Sequence, residues 1–255
     1  MEYFTFSLSV GVLAALDSIC GHELFHKKEW YNKLVGQFAY TRYFYSHFFD
    51  EHLQGHHKAV ATTEDPATAL YGQSIYQFIP SAIVGSHVTT WKREMKKSQK
   101  LFGADSSTIQ LIISNKMTLY FCIHSIMLGV IYHMLGMQSV KFQLCYAALA
   151  VTFLETVNYV EHYGLLRKKD SNGVYESITN MHSWNSASTK IMWRLQRHSD
   201  HHHQAYRPYQ ILKTIDQAPT YPFDYNYAII IALVPPVWFY CVNPRIDAIK
   251  AKEQG

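Results

Sequence analysis

Charged residues are scarce in this sequence. Only 16% of the 255 residues are Asp, Glu, Lys or Arg, whereas a soluble domain usually carries roughly 25%. Hydrophobic residues make up 48% of the chain and aromatic residues 15%. This composition excludes a disordered chain, a collagen-like chain and an acidic tail protein. The shortage of charge instead favours a protein that contacts lipid.

Cysteine is scarce as well, and its positions exclude two common kinds of site. The chain has four cysteines, and no two of them form a CxxC pair. A disulfide framework and a cysteine zinc site are therefore not expected. Because they mostly lie in apolar runs, we expect these residues to be small buried hydrophobic side chains: Cys20, Cys122, Cys145 and Cys241.

Three apolar runs are long enough to cross a bilayer, which takes about 20 residues. They cover residues 3–21, 117–136 and 142–161, and the short segment 137–141 would join the last two as a helical hairpin. The mean hydropathy is only −0.12, so a large polar part must accompany the apolar runs. We predict an all-α integral membrane protein with about three full spans, forming a single domain over residues 1–255.

Three shorter segments are expected to lie at the membrane surface or to enter it only partly. Residues 228–242 are apolar but contain Pro235 and Pro236, which break a helix, so a re-entrant or interfacial segment is predicted. The mixed segment 75–91 suits a surface-lying helix. The aromatic segment 40–49 is predicted to be an amphipathic or half-inserted helix.

The basic residues are distributed unevenly over this predicted topology. All Lys and Arg residues except Lys141 would lie on the face where the first span ends, and such residues accumulate on the cytoplasmic side. The N-terminal run lacks the pattern of a cleaved signal peptide, so it is expected to remain as a helix. We predict an integral membrane protein with this face in the cytoplasm, or in the matrix if the membrane belongs to an organelle.

Histidine is abundant, with 15 residues, and most of these residues fall in four short motifs on that same face. Histidines four positions apart share one face of a helix, as His22 and His26 do, and as His52 and His56 do beside His57. Nine histidines exceed the needs of one ion and imply two metal ions. Imidazole ligands suit Zn, Cu, Fe and Ni. The candidate ligands are His22, His26, His52, His56, His57, His162, His198, His201 and His202.

One alternative comes from the first motif, because His22, Glu23 and His26 match the H-E-x-x-H pattern of zinc proteases. That reading would need one further ligand and would leave six or seven clustered histidines without a role. A pair of metal ions with only nitrogen ligands, partly open at a membrane surface, is more typical of a redox iron site.

Five strings carry a specific resemblance. HELFHK, EHLQGHHKAVATTEDPATA, NYVEHYGL, HSWN and LQRHSDHHHQAYRPYQIL resemble the membrane alkane monooxygenase (alkane hydroxylase) family, within the wider fatty-acid desaturase and hydroxylase superfamily. The resemblance covers residues from about 15 to 215. It implies a helical membrane protein whose nine histidines hold two non-haem irons beside a cavity that runs into the bilayer.

The resemblance also implies a reaction and partners. An alkane or fatty-acyl chain would be hydroxylated at its terminal carbon with O2, and a rubredoxin-like carrier would deliver the electrons. Carboxylates in or near the motifs are placed to accept the second N–H of the ligand imidazoles, and His182 of HSWN would support the ligands without binding metal. The carboxylates are Glu23, Glu51, Asp65, Glu161 and Asp200.

The chain departs from the family before the first motif, which begins only 21 residues from Met1, whereas family members carry further membrane helices there. We therefore expect that other membrane subunits supply the missing N-terminal helices. Two alternatives stay open, a non-catalytic accessory subunit of a larger membrane complex and a lipid desaturase. A nucleic-acid partner is not expected.

Overall fold

The regular secondary structure of the protein is helical in the part of the chain that the computed structural model describes, which comprises residues 2–103, 105–188 and 192–252. Strand-like pairing in those residues is limited to two isolated bridges, Lys169 with Tyr175 and Asn185 with Thr220. The all-α prediction is therefore confirmed. The helices are α1 (Glu2–Phe25), α2 (Trp30–Thr41), α3 (Phe48–Glu51), a π-helical turn (His52–His56), α4 (His57–Ala59), α5 (Ile75–Phe102), α6 (Thr108–Ser114), α7 (Lys116–His162), α8 (His198–His203), α9 (Tyr225–Ala232) and α10 (Pro235–Lys252).

The chain divides into two compact units. The first unit comprises Met1–Gly55 and Val84–Phe153, and the second comprises His56–Ile83 and Leu154–Gly255. Each unit contains part of the histidine set. Whether the chain acts as one domain, as the sequence predicts, remains a prediction.

In the first unit, α1 and α2 approach closely because glycine faces glycine. A Cβ atom on Gly36 would lie 2.7 Å from the carbonyl oxygen of Gly21 and 3.0 Å from the Phe25 ring. Only a residue without a side chain allows this approach. The Tyr40 hydroxyl then donates to the carbonyl oxygen of Ser18 at 2.9 Å, which fixes α2 against the end of α1 that carries His22.

Asp50 anchors α3 in the first unit, two residues before His52. Its carboxylate is buried and accepts from the Lys116 ammonium at 2.9 Å and from the Tyr120 hydroxyl at 2.6 Å. The Arg93 guanidinium donates to the carbonyl oxygen of Asp50 at 3.2 Å. A buried charge costs several kcal/mol unless it is paired and hydrogen-bonded, and these three partners tie α3 to α5 and α7.

The second unit is built around buried aromatic side chains. Trp184 stacks on Tyr221 with ring centroids 4.4 Å apart and planes 11° apart, and Trp238 lies 5.7 Å from Tyr221. All three rings are fully buried. The neighbouring Asn185 accepts from the backbone N–H of Ser199 at 3.0 Å, so the aromatic core holds the first turn of α8 in place.

The helical hairpin predicted from the apolar runs corresponds to one long element with a break. α7 has non-helical backbone angles at Gly136 (φ 78°, ψ 177°), so it consists of two helical segments, 116–135 and 137–162. The break therefore lies at Gly136 and not across 137–141. By length and composition, α7 is the one helix in the described part of the chain found suited to cross a membrane.

The shorter predicted segments differ from the structure in their boundaries. The prediction of a helix over 40–49 is wrong, because α2 ends at Thr41 and Phe44 adopts a positive φ of 62°. The resulting turn lets Tyr40 stack on Phe48 at 4.9 Å. Residues 75–91 are helical, within α5. Residues 228–242 contain the end of α9 and the start of α10, since Pro235 begins a new helix, as proline often does in a first turn.

The four cysteines are free, as predicted, but they are not buried. Cys20 and Cys122 are exposed, and Cys145 and Cys241 are intermediate. The prediction of small buried hydrophobic side chains is therefore wrong. Apolar neighbours in the sequence do not imply burial, because helices of this protein also expose many large apolar side chains.

The close packing of α1 on α2 predicts that one methyl group added at Gly36 destabilises the protein. Gly36→Ala should lower the free energy of unfolding by ~1–3 kcal/mol, because the new Cβ would overlap the Gly21 carbonyl oxygen. Gly129→Ala is the matched control, since no atom lies within 4 Å of its Cβ position and alanine favours the helix by up to ~1 kcal/mol. Thermal unfolding in detergent measures both, and equal midpoints would contradict the packing.

Candidate metal centre

Four buried imidazoles meet in the second unit. The Nε2 atom of His198 lies 3.1 Å from Nε2 of His162 and 3.0 Å from Nε2 of His202. The Nε2 atoms of His56 and His202 are 3.2 Å apart. One ligand atom from each of the four residues lies within 4.8 Å of the others, and all four side chains are buried. The four ring nitrogens therefore surround one point.

Local structure explains how these four side chains converge. His198 and His202 are four residues apart on α8, so they lie on the same face of that helix. His162 is the last residue of α7, and His56 is the last residue of the π-helical turn. The Asp200 carboxylate also stabilises α8, because it accepts from the Arg207 guanidinium at 2.5 and 2.6 Å and from the Lys213 N–H at 2.7 Å.

Asp65 fixes the orientation of His56. The Nδ1 atom of His56 lies 2.9 Å from Asp65 Oδ2, and the same carboxylate accepts from the Thr68 hydroxyl at 2.6 Å. Burial alone would raise the pKa of Asp65, but the interaction with His56 and the hydrogen bond from Thr68 outweigh it and leave the pKa lowered. An ionised Asp65 keeps the proton on Nδ1, so Nε2 of neutral His56 carries a lone pair.

Backbone and hydroxyl groups of the HSWN segment support His162. Its Nδ1 atom lies 3.4 Å from the Ser183 hydroxyl, and the backbone of His182 also forms a hydrogen bond with it. The side chain of His182 points to other partners, since Nδ1 accepts from the Thr179 N–H at 3.0 Å and Nε2 lies 3.4 Å from Glu176. His182 thus reaches a candidate ligand through its backbone.

The chemistry of this donor set fits a metal cation. Burial, followed by the neighbouring imidazoles, lowers the pKa of His202 well below its ordinary value, so this side chain stays neutral near neutral pH. Facing imidazole nitrogens can hydrogen-bond only if one carries a proton, which Nε2 of His56 does not. Nitrogen lone pairs gathered in a buried site are stabilised by a cation that accepts them.

The carboxylate of Glu161 lies beside a nitrogen that faces the centre of the four imidazoles, whereas the sequence predicts that it accepts from the second N–H of a ligand imidazole. Its Oε2 atom lies 3.3 Å from Nε2 of His198, the nitrogen that faces the other imidazoles. Its Oε1 atom is buried and has no hydrogen-bond partner among the residues that the structure describes. The carboxylate therefore faces the ligand nitrogens and leaves one oxygen available to a cation.

A second group of histidines lies in the first unit. His22 lies in the last turn of α1 and His26 directly follows the end of that helix, and the Nε2 atoms of His22 and His52 are in direct contact. The Nε2 atoms of His26 and His52 are 3.3 Å apart. Burial, together with Lys27 and Lys33, lowers the pKa of His26 to about 4. The ring nitrogens of these three side chains form a second candidate set of donors.

The two remaining predicted ligands lie side by side in the second unit. The rings of His57 and His201 have centroids 5.1 Å apart. The four-residue spacing of His52 and His56 predicts one shared helix face, but the structure divides the pair, because His52 meets His22 and His26 whereas His56 meets His202. The π-helical turn changes the spacing along the helix and separates the two.

The other predicted carboxylates have partners of their own. Glu23 pairs with Lys27 at 2.5 Å. Glu51 is buried, and its carboxylate lies, with the Arg93 guanidinium, directly against the Cβ position of Gly55. A side chain at Gly55 would displace both groups. Among the predicted carboxylates, Asp65 shows the expected contact with the outer nitrogen of a candidate ligand.

Three histidines outside the predicted set form a polar group in the first unit. Nε2 of His47 lies 3.0 Å from the Ser86 hydroxyl, and Nε2 of His124 lies 2.7 Å from the Ser46 hydroxyl. The rings of His47 and His87 have centroids 3.7 Å apart. Burial, followed by His87 and His124, lowers the pKa of His47 well below its ordinary value.

Sequence comparison defines the class of protein to which this histidine-rich helical fold belongs. The family model described as fatty acid desaturase matches residues 3–230, so the chain belongs to that family. Within the family, the resemblance to alkane monooxygenases is confirmed.

Three relatives illustrate the similarity. Alkane 1-monooxygenase 1 of Pseudomonas aeruginosa is 38% identical over 97% of this chain and 64% of its own length. Alkane 1-monooxygenase 2 of Alcanivorax borkumensis is 34% identical over 94% of this chain and 63% of its own. The xylene/toluene monooxygenase hydroxylase component XylM of Pseudomonas putida is 26% identical over 94% and 63%. The chain thus spans somewhat less than two thirds of the length of these relatives.

Asp65 offers a test of the metal centre. Asp65→Asn should lower the affinity for metal by ~10–100-fold, because the amide no longer holds the proton on Nδ1 of His56. Metal content after dialysis against a graded chelator measures the effect by elemental analysis. The exposed Asp216 provides the control Asp216→Asn, and equal retention in the two variants would contradict the role of Asp65.

Burial of His47 predicts a pH dependence of stability in the metal-free protein. The unfolded chain binds a proton at His47 below about 6.5, whereas the folded protein does not, since its pKa is lowered. Stability should therefore fall with decreasing pH, by up to ~1.4 kcal/mol per pH unit for this group. Denaturant unfolding at several pH values should show a shallower loss in His47→Gln. His133→Gln, at an exposed position, should match the parent, and parallel curves for all three proteins would refute the assignment.

Proposed function

We propose that this protein is a membrane non-haem di-iron monooxygenase that hydroxylates the terminal carbon of alkanes or fatty-acyl chains, using O2 and a reduced rubredoxin-like carrier. The observation that supports the proposal best is the convergence of four buried imidazoles in the second unit, with His56 oriented by Asp65. Membership of the fatty acid desaturase family and the names of the relatives support the reaction class.

Two irons would be shared among the nine histidines named from the sequence. In the second unit, His56, His162, His198 and His202 would hold one of them, with Glu161 as an additional oxygen donor. In the first unit, His22, His26 and His52 supply donors for the other, and by resemblance His57 and His201 complete the set. When bound, the irons supply activation of O2 and storage of the oxidising equivalents that an unactivated C–H bond requires.

The protein's own residues prepare this chemistry by fixing protons and excluding water. Asp65 holds the Nδ1 proton of His56, and the HSWN backbone supports Nδ1 of His162. The four imidazoles of the second unit are all nearly inaccessible to solvent. A dry site strengthens every electrostatic interaction inside it and protects a reactive oxidant from side reactions.

An apolar substrate agrees with the surface of α7. Leu119, Ile126, Met134 and Leu135 are each more than half exposed, although a soluble protein rarely exposes so many large apolar side chains on one helix. We propose that residues 3–21, 117–136 and 142–161 are membrane spans, with the histidine motifs on the cytoplasmic side. A substrate dissolved in the bilayer would then reach the site without passing through water.

The test is direct assay of the iron-loaded chain in lipid nanodiscs. With rubredoxin, its reductase, labelled O2 and a series of n-alkanes, gas chromatography with mass spectrometry should detect primary alcohols that contain the label. His162→Ala should abolish the product because it removes a buried ligand. Asp216→Asn should leave the rate unchanged.

Other results would overturn the proposal in distinct ways. An alkene product from acyl chains would identify a desaturase. Two bound irons without O2 consumption would favour an accessory subunit of a membrane complex, and co-purifying subunits would then be identified. A single bound zinc with proteolytic activity would support the H-E-x-x-H alternative.

A further inference from the structure

An aromatic column runs through the second unit from the metal centre towards the surface. Trp184 stacks on Tyr221, Tyr221 lies 5.7 Å from Trp238, and Trp238 lies 5.4 Å from Tyr163, measured between ring centroids. All four side chains are fully buried. Tyrosine and tryptophan are the side chains most easily oxidised by one electron, and rings in contact exchange electrons rapidly.

The inner end of the column is joined to a candidate metal ligand. The Trp184 backbone N–H donates to the carbonyl oxygen of Glu161 at 2.9 Å, and its indole N–H donates to the carbonyl oxygen of Tyr163 at 2.8 Å. These are the two residues on either side of His162. The neighbouring Ser183 hydroxyl approaches Nδ1 of His162. Trp184 is thus coupled to His162 by short hydrogen-bonded connections.

The outer end of the column is Tyr71, which is 42% exposed. The backbone N–H of the next residue, Gly72, donates to the Tyr163 hydroxyl at 2.8 Å. The Tyr71 hydroxyl donates to Asp247 Oδ2 at 3.1 Å. An oxidised tyrosine must release its proton, and Asp247 is a base placed to receive it.

The buried rings lack such a base in their hydrogen bonds. The Tyr221 hydroxyl donates to the carbonyl oxygen of Val160 at 2.8 Å, and the Tyr163 hydroxyl donates to the side-chain oxygen of Asn243 at 2.8 Å. The indole N–H of Trp238 is buried without an acceptor among the described residues. An oxidised Trp238 would therefore keep its proton and remain a strong oxidant. It would then take an electron from the next residue and would not retain the radical.

We propose that Trp184, Tyr221, Trp238 and Tyr163 form an electron-transfer path from Tyr71 to the metal centre, which removes oxidising equivalents that no substrate consumes. The inference rests on the proposed oxygenase function. For each oxidising equivalent, Trp184 gives one electron to the oxidised centre. Trp238 then reduces Trp184 through Tyr221, and Tyr71 reduces Trp238 through Tyr163. The Tyr71 proton moves to Asp247. A soluble one-electron reductant of the thiol or ascorbate class then reduces the Tyr71 radical, and the proton returns.

The path can be tested without iron. In a background where Trp30, Trp91 and Trp193 are replaced by Phe, flash photolysis at ultraviolet wavelengths that tryptophan absorbs and tyrosine does not, with an electron scavenger, would oxidise only Trp184 and Trp238 directly. Transient absorption should show the tryptophan radical decaying as a tyrosyl radical forms. Tyr71→Phe should remove more than half of the tyrosyl yield, whereas Tyr240→Phe, which removes an exposed hydroxyl of the same unit, should not change it. Equal yields in the two variants would overturn the proposal, and unfolding midpoints would confirm that both are folded.

A second experiment uses the iron-loaded chain, in which Trp238→Phe and Tyr71→Phe should both increase oxidation of the candidate ligand histidines when O2 is supplied with reductant but no substrate. Peptide mass spectrometry measures this damage, and Tyr240→Phe is again the control. Unchanged damage with active O2 consumption would count against a protective path. If the iron-loaded chain consumes no O2, the oxygenase proposal fails, whereas the photolysis result still decides whether the path exists.

Discussion

The four-imidazole site of the second unit depends on buried ring nitrogens whose protons are held in the right positions. A neutral imidazole offers a lone pair at one nitrogen only when the other nitrogen holds the proton. Asp65 imposes this state on His56, and the HSWN segment supports His162. The Asp200 contacts with Arg207 and Lys213 do not touch the ligand nitrogens, yet they fix the helix on which His198 and His202 share a face. The polar residues around the site thus fix either the position of a proton on a candidate ligand or the position of a helix that carries candidate ligands.

Burial without a cation is costly for such a group. A buried polar atom left unsatisfied costs about 1–3 kcal/mol, and among the described residues one oxygen of Glu161 is in this position, beside the four imidazoles whose nitrogens converge. A cation that accepts these lone pairs would replace the lost hydrogen bonds and couple metal binding to the stability of the fold.

The sequence predicted the chemistry of the site better than its geometry. The pair His198 and His202 on α8 is visible in the sequence because helical periodicity brings residues four apart onto one face whatever the tertiary context. The partition of His52 and His56 was not predictable, since it depends on a π-helical turn that a pattern of spacings does not reveal. The approach of Glu161 to Nε2 of His198 also depends on packing between α7 and α8. The helix predicted over 40–49 failed because burial of Tyr40 against Phe48 requires a turn that local apolar patterning does not encode.

Packing alone does not explain why the aromatic core beside the site contains tryptophan and tyrosine and not phenylalanine. A phenylalanine in place of Trp238 would avoid burying an indole N–H with no acceptor in the described part of the chain, a cost of about 1–3 kcal/mol. Buried tyrosines such as Tyr221 require a carbonyl partner that phenylalanine would not need. A core selected only for stability would favour aliphatic residues and phenylalanine at these positions. Besides a hydrogen-bonding group, tryptophan and tyrosine have a redox activity that phenylalanine lacks, and the proposed path uses it beside the site where an oxidant is expected.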